Sequence, residues 1–258
     1  MISSNVKMAI IGAGTWGKNH AQIYNAHPFA ETVAICDANL SKAQAVAQEL
    51  GIPQVYQDYH EMLEKSGCDA VAIVTPDYLH AEMTIACARA KKAVLIEKPL
   101  ATTREDVQRM VNAIEENGVR VMVDFHNRWS PPFNAAYTAV RAGELGELYS
   151  GYFRLNDIKC NLLGTKGMIA IDASNHNLIQ KYTDEKVEVP DVIVQNHIFG
   201  QPKGFAFESI RGFVDGLYTG KDFPLTLYDA ANTSLTILAI MESARARVPV
   251  EVSGLYEV

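Results

Sequence analysis

Glycine and polar residues that could bind or transform a ligand lie directly after short apolar runs. Gly12-x-Gly14-x-x-Gly17 follows the apolar run Val6–Ile11, and Asp37 comes 20 residues after the last of these glycines. Such glycines permit a tight turn, a close approach of the backbone to a pyrophosphate and close packing of a helix on a strand. The free amides at the start of that helix bind phosphate groups. The spacing therefore predicts a dinucleotide-binding loop.

Asp37 predicts which dinucleotide is bound. Its carboxylate can accept hydrogen bonds from the adenosine ribose hydroxyls and would repel a 2′-phosphate, so NAD is favoured over NADP. We also place Ala13, Thr15 and Trp16 of the glycine loop at the cofactor. Trp16 either packs over the pyrophosphate or shields the helix. The alternative for the whole motif is a tight strand–helix turn without a ligand.

Three polar segments follow three later apolar runs. Thr75–His80, Glu97–Pro99 and Asp124–Arg128 each begin where a predicted strand ends. Because ligands of a parallel sheet bind outside the carboxyl ends of its strands, we expect these segments to converge beside the nicotinamide end of the cofactor. Lys98 in this position can hydrogen-bond a substrate hydroxyl and favour the developing alkoxide. The alternative is a lysine on a solvated loop.

The predicted strands and helices that carry these residues alternate along the first half of the chain. Short apolar runs alternate with amphipathic, helix-like stretches as far as Val123, a pattern typical of a parallel, doubly wound sheet. Residues 1–124 are therefore predicted to form an α/β domain of the Rossmann type that binds NAD. The pattern then changes, and residues 125–258 are predicted to form a second domain of α+β type.

The second predicted domain has few local signals. Gly164-Thr165-Lys166-Gly167 predicts a hairpin turn. Leu148–Leu163 is one extended run of 16 residues without a turn signal, whereas typical strands have about 5–6 residues. We therefore hypothesise that a segment is missing near 156–157 and that this domain is shortened. The remaining predicted elements are the helices Phe205–Tyr218 and Ala230–Ala246 and the strand Val248–Val252.

Taken together, the motifs resemble the glucose–fructose oxidoreductase, inositol dehydrogenase and MocA (Gfo/Idh/MocA) family. The resemblance is carried by Gly12-x-Gly14-x-x-Gly17, Asp37, Thr75-Pro76 with His80, Glu97-Lys98-Pro99, Arg128 with Pro132, Gly143-Glu144-Leu145-Gly146, Gly164-Thr165-Lys166-Gly167, Phe205 to Asp215 and Glu242-Ser243-Ala244. It implies NAD(P)-dependent oxidation of a hydroxyl on a sugar, inositol or related polyol. It also implies a substrate and oligomerisation domain built on a large open β-sheet.

The resemblance also implies roles for single residues. It places the side chains of Thr75, Pro76, His80, Glu97 and Lys98 at the cofactor, and those of Lys98 and Arg128 at the substrate. His126 is expected at the substrate or the cofactor because it lies in the third polar segment. His80 is otherwise a polar residue at a helix start, and His126 otherwise has a structural role. Lys98 is the predicted catalytic residue.

A general acid/base histidine is not found where the resemblance places it. Family members carry a glycine-rich stretch that leads to Asp-x-x-x-His, expected near Asn156, and this sequence has neither there. Asp172-Ala173-Ser174-Asn175-His176 has the required spacing further on, so His176 is a second catalytic candidate. The alternative is a hydrophilic strand end.

Charge and composition exclude several classes of protein. The 258 residues carry a formal net charge of −7, which argues against a nucleic-acid binder and against electrostatic attachment to anionic lipid. No apolar run approaches the roughly 18 residues of a membrane span. The first residues lack the pattern of a signal peptide, so we expect a cytoplasmic protein with reduced thiols.

The remaining cysteines and histidines predict no metal site. The four cysteines fit neither a zinc knuckle nor a CxxC pair. For His20, His27, His60 and His197 we expect no partner carboxylate and no ligand at metal spacing.

We therefore predict an NAD-dependent dehydrogenase acting on a CH–OH group of a sugar, inositol or related polyol. Its partners are that small molecule and further copies of itself, in a dimer or tetramer. One alternative is a catalytically weak or inactive NAD-binding sensor or regulatory protein of the same fold. Another is a polyol-binding scaffold whose main role is assembly.

Overall fold

The computed structural model describes residues 5–154, 159–172, 179–182, 187–188, 196–198 and 201–257. The chain forms two compact units. The first combines Met1–Phe125 with Ile210–Val258, and the second is His126–Ser209. The helices are α1 (Thr15–Asn25), α2 (Leu40–Leu50), α3 (Tyr59–Lys65), α4 (His80–Arg89), α5 (Arg104–Asn117), α6 (Pro131–Arg141), α7 (Phe205–Thr219) and α8 (Leu227–Ala246).

A six-stranded parallel sheet forms the centre of the first unit. Its strands are β1 (Val6–Ile11), β2 (Ala30–Cys36), β3 (Gln54–Tyr56), β4 (Ala70–Ile73), β5 (Ala93–Ile96) and β6 (Val121–Val123). They lie in the order β3-β2-β1-β4-β5-β6. This order reverses direction between β1 and β4, which is the arrangement of a Rossmann fold. The predicted parallel, doubly wound sheet is confirmed.

Side-chain caps and glycines mark the ends of helices α2 and α5. Asn39 begins α2 by accepting a hydrogen bond from the backbone of Lys42, and Thr103 caps α5 in the same way. Gly51 and Gly118 end these two helices with φ values of +70° and +63°. Glycine is favoured there because a side chain opposes the left-handed conformation.

The C-terminal residues pack on the first unit rather than forming part of a second domain from residue 125 onwards. Leu225, Ala230, Ala231 and Leu235 belong to the same buried cluster as the strands of the parallel sheet. Helix α8 contacts α5 and β6. Because the apolar face of α8 packs on the parallel sheet, residues 210–258 belong to the first unit. The prediction that residues 125–258 form one second domain is therefore wrong.

The predicted strand Val248–Val252 is wrong, because these residues have no regular secondary structure. The chain just beyond them is held by a side chain instead. Asn232 donates to the carbonyl oxygen of Tyr256 at 2.8 Å and accepts from its amide at 2.7 Å. These two bonds satisfy backbone groups that a neighbouring strand would otherwise satisfy.

An antiparallel sheet forms the second unit, as the α+β prediction requires. Its strands are β7 (Leu148–Arg154), β8 (Lys159–Gly164), β9 (Gly167–Asp172), β10 (Ile179–Tyr182) and β11 (Val187–Glu188), in the order β11-β10-β9-β8-β7. A separate pair joins β12 (Asn196–Ile198) and β13 (Gln201–Lys203). Ala136 and Ala139 of α6 pack with Cys160, Ile169 and Ile171 of the sheet.

The hairpin between β8 and β9 is confirmed, with Gly164 opposite Gly167. The single extended run Leu148–Leu163 is wrong. It comprises β7 and β8, which pair with each other so that Arg154 lies opposite Lys159. Asn156 and Asp157 between them are residue types that turns favour, a signal that the sequence interpretation missed. The hypothesised missing segment falls at 156–157, outside the described residues.

The part of the chain that the structure describes contains no helix that is both long and apolar enough to cross a membrane.

Candidate active site

The glycine loop after β1 has the geometry that its sequence predicts. Gly12 has a φ of +108°, and a Cβ atom there would collide with the carbonyl oxygen of Val74. A Cβ atom on Gly17 would collide with the carbonyl oxygen of Gly12. A Cβ atom on Gly14 would meet nothing within 4 Å, so the backbone there is open to a ligand. The loop therefore offers the close approach that a pyrophosphate needs.

Helix α1 begins directly after this loop. Gly14 is its N-cap residue, and no side chain in the described part of the chain caps it. Thr15 and Trp16 form the start of the first turn, and Trp16 is half-buried. The first-turn amides are the groups that bind phosphate oxygens at a helix N-terminus.

A cavity of about 580 Å³ in the first unit adjoins the loop. This volume lies within the range of about 300–1,000 Å³ that is typical of ligand pockets. Five of the predicted cofactor residues line this cavity together: Gly12, Gly14, Asp37, Thr75 and Pro76.

Leu79, within the predicted segment Thr75–His80, also lines the wall. Several further residues of the wall were missed from the sequence: Lys42, Gln57, Asp58, Tyr59 and Met83. They come from the start of α2, from the chain around the start of α3 and from the chain around the start of α4. Only amphipathic periodicity marks these segments in the sequence, so no motif could have found them. Their mixture of apolar and polar groups suits an adenosine, whose base is flat and whose ribose is polar.

Asp37 is held in a fixed orientation at the end of β2. Its Oδ2 atom accepts a hydrogen bond from the amide of Ala13, and its Oδ1 atom accepts one from the amide of Asn39, both at 2.8 Å. A carboxylate offers about four acceptor positions, so the group retains capacity for two hydroxyls. The residues of the cavity thus fit the adenosine end of a dinucleotide.

The neighbouring thiol of Cys36 also lines the cavity. Burial, together with the carboxylates of Asp58 and Asp37, raises the pKa of Cys36 to about 12. The thiol therefore stays protonated and is a poor nucleophile at neutral pH.

His80 connects two of the predicted polar loops. Its Nδ1 atom lies 2.8 Å from the carbonyl oxygen of Pro99, and its Nε2 atom lies 3.1 Å from that of Thr75. The residue is buried, with 1% of its surface exposed. His80 therefore ties the loop after β4 to the loop after β5, and its predicted contact with the cofactor remains a prediction.

Lys98 is exposed beyond the end of β5, whereas Glu97 beside it faces inwards. The side chain of Glu97 is 12% exposed, and its Oε1 atom lies 3.2 Å from Nε2 of His20. Its Oε2 atom accepts a hydrogen bond of 3.3 Å from the backbone amide of Lys98. The loop thus places the lysine in solvent and anchors the glutamate to α1.

The statement that His20 and His27 have no partner carboxylate is therefore wrong. His20 pairs with Glu97, which is 77 residues away, and His27 Nε2 lies 3.3 Å from Oδ1 of Asp215. Spacing along the sequence does not reveal either pair, because packing of the fold brings distant residues together.

His20, Glu97 and Asp124 form a buried cluster whose ligand-type atoms lie within 4.8 Å of one another. The Nδ1 atom of His20 is 3.1 Å from the hydroxyl of Tyr24. Burial alone raises the pKa of Glu97, but the hydrogen bond and electrostatic effect of His20, with a contribution from Lys98, lower it below its usual value. Both ring nitrogens of His20 are engaged in hydrogen bonds, so we interpret the cluster as a hydrogen-bonded network.

The remaining site candidates belong to the second unit. The guanidinium of Arg128 lies 5.0 Å from the ring centroid of Tyr137, and the ring of His126 lies 6.2 Å from that of Phe205. Asp172 forms an ion pair of 3.0 Å with Lys159 on the neighbouring strand. The candidate His176 lies outside the described residues.

Comparison with known proteins assigns residues 6–125 to the oxidoreductase family with an NAD-binding Rossmann fold, Gfo/Idh/MocA. The chain is 35% identical to the scyllo-inositol 2-dehydrogenase (NAD(+)) of Bacillus subtilis over 176 residues, which are 67% of this chain and 52% of that protein. It is 37% identical to the D-glucoside 3-dehydrogenase of Escherichia coli over 150 residues, which are 58% of this chain and 43% of that protein. The chain thus spans about half the length of the curated relatives it matches.

A solved structure shows the same fold. A levoglucosan dehydrogenase in complex with NADH and levoglucosan aligns with a TM-score of 0.81 at 19% identity, over 97% of this chain and 100% of that chain. Through the glycine loop, the strand order and the family match, residues 6–125 of this chain belong to the Gfo/Idh/MocA oxidoreductase family.

Proposed function

We propose that this protein is an NAD-dependent dehydrogenase that acts on a CH–OH group of a sugar, inositol or related polyol. The observation that carries the proposal is the cavity in which the open backbone of Gly14 and the fixed carboxylate of Asp37 lie together. The substrate class is supported by the relatives, which are named as dehydrogenases of scyllo-inositol and of D-glucosides.

In this proposal the first unit holds the cofactor. The first-turn amides of α1 bind the pyrophosphate, and Asp37 accepts hydrogen bonds from the adenosine ribose. Tyr59, Leu79 and Met83 of the cavity wall contact the adenine. Asp37 also disfavours NADP, because its charge repels a 2′-phosphate. When bound, NAD supplies the acceptor for a hydride.

Lys98 is the proposed catalytic residue. Its ammonium group donates a hydrogen bond to the substrate hydroxyl and stabilises the alkoxide that develops as the proton leaves. His176 is the candidate that takes this proton, and His126 and Arg128 are candidate contacts of the substrate. We further propose that the protein is cytoplasmic and that it assembles as a dimer or tetramer. Light scattering at several protein concentrations measures the molar mass of the assembly.

The decisive experiment combines binding and turnover. Calorimetric titration measures the affinities for NAD and NADP, and absorbance of NADH measures oxidation of a panel of inositols, glucosides and free sugars. We expect tighter binding of NAD and turnover of at least one member of the panel. Absence of NAD binding would overturn the proposal.

The alternative function is an NAD-binding sensor or regulatory protein of the same fold. The sequence feature that favours it is the absence of Asp-x-x-x-His near Asn156. Tight binding of NADH without turnover on the whole panel would support this alternative. Oxidation of a polyol would exclude it.

A further inference from the structure

We propose that His20 is a positioning residue for Lys98. Through Glu97 it fixes the backbone of Lys98 to α1, the helix that begins at the dinucleotide-binding loop. The inference rests on the proposed function in one respect, because it takes Lys98 as the catalytic residue.

Both oxygens of the Glu97 carboxylate are used in this connection. One lies 3.2 Å from Nε2 of His20, and the other accepts the amide of Lys98 at 3.3 Å. The side chain of His20 is fully buried and that of Glu97 is 12% exposed, so water has little access to the pair. A hydrogen bond to a carboxylate in such surroundings is stronger and better oriented than one in solvent.

The polarity of the network follows from Glu97. An ionised carboxylate can only accept, so the hydrogen bond between Glu97 and His20 requires the ring proton on Nε2. We infer that Nδ1 then accepts from the hydroxyl of Tyr24, which burial keeps protonated by raising its pKa. The Nε2–H group then donates to Glu97, and the Lys98 amide donates to the same carboxylate. Both bonds thus depend on one ionised carboxylate.

The His20–Glu97 contact connects the helix that begins at the phosphate-binding loop with the loop that carries Lys98. His20 lies six residues after Gly14, the N-cap of α1, which corresponds to about 9 Å along a helix. The phosphate-binding end of α1 and the backbone of Lys98 are therefore held at a constant separation by one side-chain bridge. A displacement of about 1 Å at a catalytic group can lower the rate by about a hundredfold.

The first test is a comparison of His20→Leu with His20→Gln. The glutamine amide can donate to Glu97 as the imidazole Nε2–H does, whereas leucine cannot. We expect His20→Leu to lower kcat by about 10- to 100-fold, with the Kd for NAD changed by less than about threefold. We expect His20→Gln to recover most of the loss. Equal impairment in both variants would overturn the proposal.

A matched control is His27→Leu. His27 is also a buried histidine of the first unit that pairs with a carboxylate, Asp215, at 3.3 Å. Its carboxylate partner is 56% exposed, against 12% for Glu97, but the substitution removes a histidine–carboxylate contact of similar length. It does so without touching the Lys98 loop, so kcat should stay at the wild-type value. A loss of kcat in this control equal to that in His20→Leu would show a general effect of lost stability and would overturn the specific role.

Combination with Lys98→Met separates positioning from stability. If His20 acts only through Lys98, then His20→Leu lowers the residual kcat of Lys98→Met by less than about twofold. A full additional loss in the double variant would show that His20 acts on the reaction by another route.

A second readout does not depend on turnover. In ¹⁵N NMR spectra of the wild-type protein, His20 should show the tautomer protonated at Nε2, and the Lys98 amide resonance should shift in His20→Leu and return in His20→Gln. An unchanged Lys98 resonance, or a stoichiometric metal ion that is lost in His20→Leu, would overturn the network. If no polyol is oxidised but these shifts occur, the proposed function fails while the positioning contact stands.

Discussion

The Oδ2 atom of Asp37 accepts a hydrogen bond of 2.8 Å from the backbone amide of Ala13. This bond joins the end of β2 to the glycine loop after β1, across 24 residues of sequence. The second oxygen accepts the amide of Asn39, so the carboxylate cannot rotate freely. The residue expected to select the cofactor is thus part of the framework of the loop that binds it.

Asp37→Asn should change the choice of cofactor. The substitution keeps the shape of the side chain and an acceptor for one of the two backbone amides. It removes the charge that repels a 2′-phosphate, and Lys42 in the same cavity wall can then attract that group. Hydrogen bonds to charged groups contribute about 1.5–3 kcal/mol, so we expect the preference for NAD over NADP to fall by about tenfold or more. Titration calorimetry with both nucleotides measures the ratio.

The control for this prediction is Asp69→Asn. Asp69 also accepts a backbone amide, that of Lys7 at 2.9 Å, but it does not belong to the cavity wall described above. The Asp69→Asn substitution should leave the ratio of the NAD and NADP affinities unchanged. An unchanged ratio in Asp37→Asn would contradict the proposed role of the carboxylate.

Lys98→Met should separate binding from catalysis. Methionine keeps an unbranched side chain but cannot donate a hydrogen bond or stabilise an alkoxide. We expect the NAD affinity to stay within about threefold and turnover to fall by a hundredfold or more, in line with about 10²–10⁴ for general acid–base groups. Lys65→Met, which removes only an exposed pair with Glu61, serves as the control. Wild-type turnover in Lys98→Met would exclude the lysine from the chemistry.

Two glycine substitutions should have opposite consequences. The methyl group of Gly17→Ala would collide with the carbonyl oxygen of Gly12, so we expect unfolding to become easier by about 1–3 kcal/mol. The methyl group of Gly14→Ala would enter open space, where the proposed pyrophosphate approaches. It should leave stability nearly unchanged and weaken NAD binding by about tenfold or more.

Urea unfolding and NAD titration of both variants distinguish the two roles. A large loss of stability in Gly14→Ala, or tight NAD binding in that variant, would contradict the assignment of the open position to the cofactor.

The four cysteines should resist alkylation in the folded protein. Cys36, Cys68, Cys87 and Cys160 are all buried and unpaired as disulfides. Burial raises the pKa of each thiol, that of Cys36 to about 12. At pH 8 only about one Cys36 thiol in ten thousand is then the reactive thiolate. Mass spectrometry after iodoacetamide treatment should show no adduct on the native protein and four adducts after unfolding. Rapid modification of the native protein would disprove the burial.

Glu97 should contribute to stability in a pH-dependent way. Its pKa is lowered in the folded state, whereas an unfolded glutamate titrates near about 4.3. Its contribution is therefore complete above the unfolded pKa and is lost as the pH falls through the folded pKa. The difference in the free energy of unfolding between the wild type and Glu97→Gln should shrink below about pH 4.

Urea titrations at a series of pH values measure this difference, with the exposed Glu116→Gln as the control that follows the wild-type curve. A difference that stays constant down to the acid limit would show that the Glu97 carboxylate is not stabilised by its contacts with His20 and Lys98.

Features that depend only on residues close together in the chain can be predicted from the sequence. The glycine spacing, the alternation of apolar runs with amphipathic stretches and the turn at Thr165-Lys166 are local patterns, and the structure contains all of them. Lys98 follows β5 as predicted, because an apolar run that ends in Glu-Lys-Pro leaves little freedom in where the strand stops. The family could also be identified, since its motifs concentrate in this half of the chain.

Contacts between residues far apart in the chain became known only from the three-dimensional fold. The pairing of His20 with Glu97, the bridge from His80 to two loops and the packing of α8 on the first unit join residues far apart in the sequence. No periodicity records such contacts, because side-chain spacing reports which face of an element is buried and not which element covers it. The order of the strands and the packing of the helices select the partner, and here they place a buried histidine behind the exposed lysine.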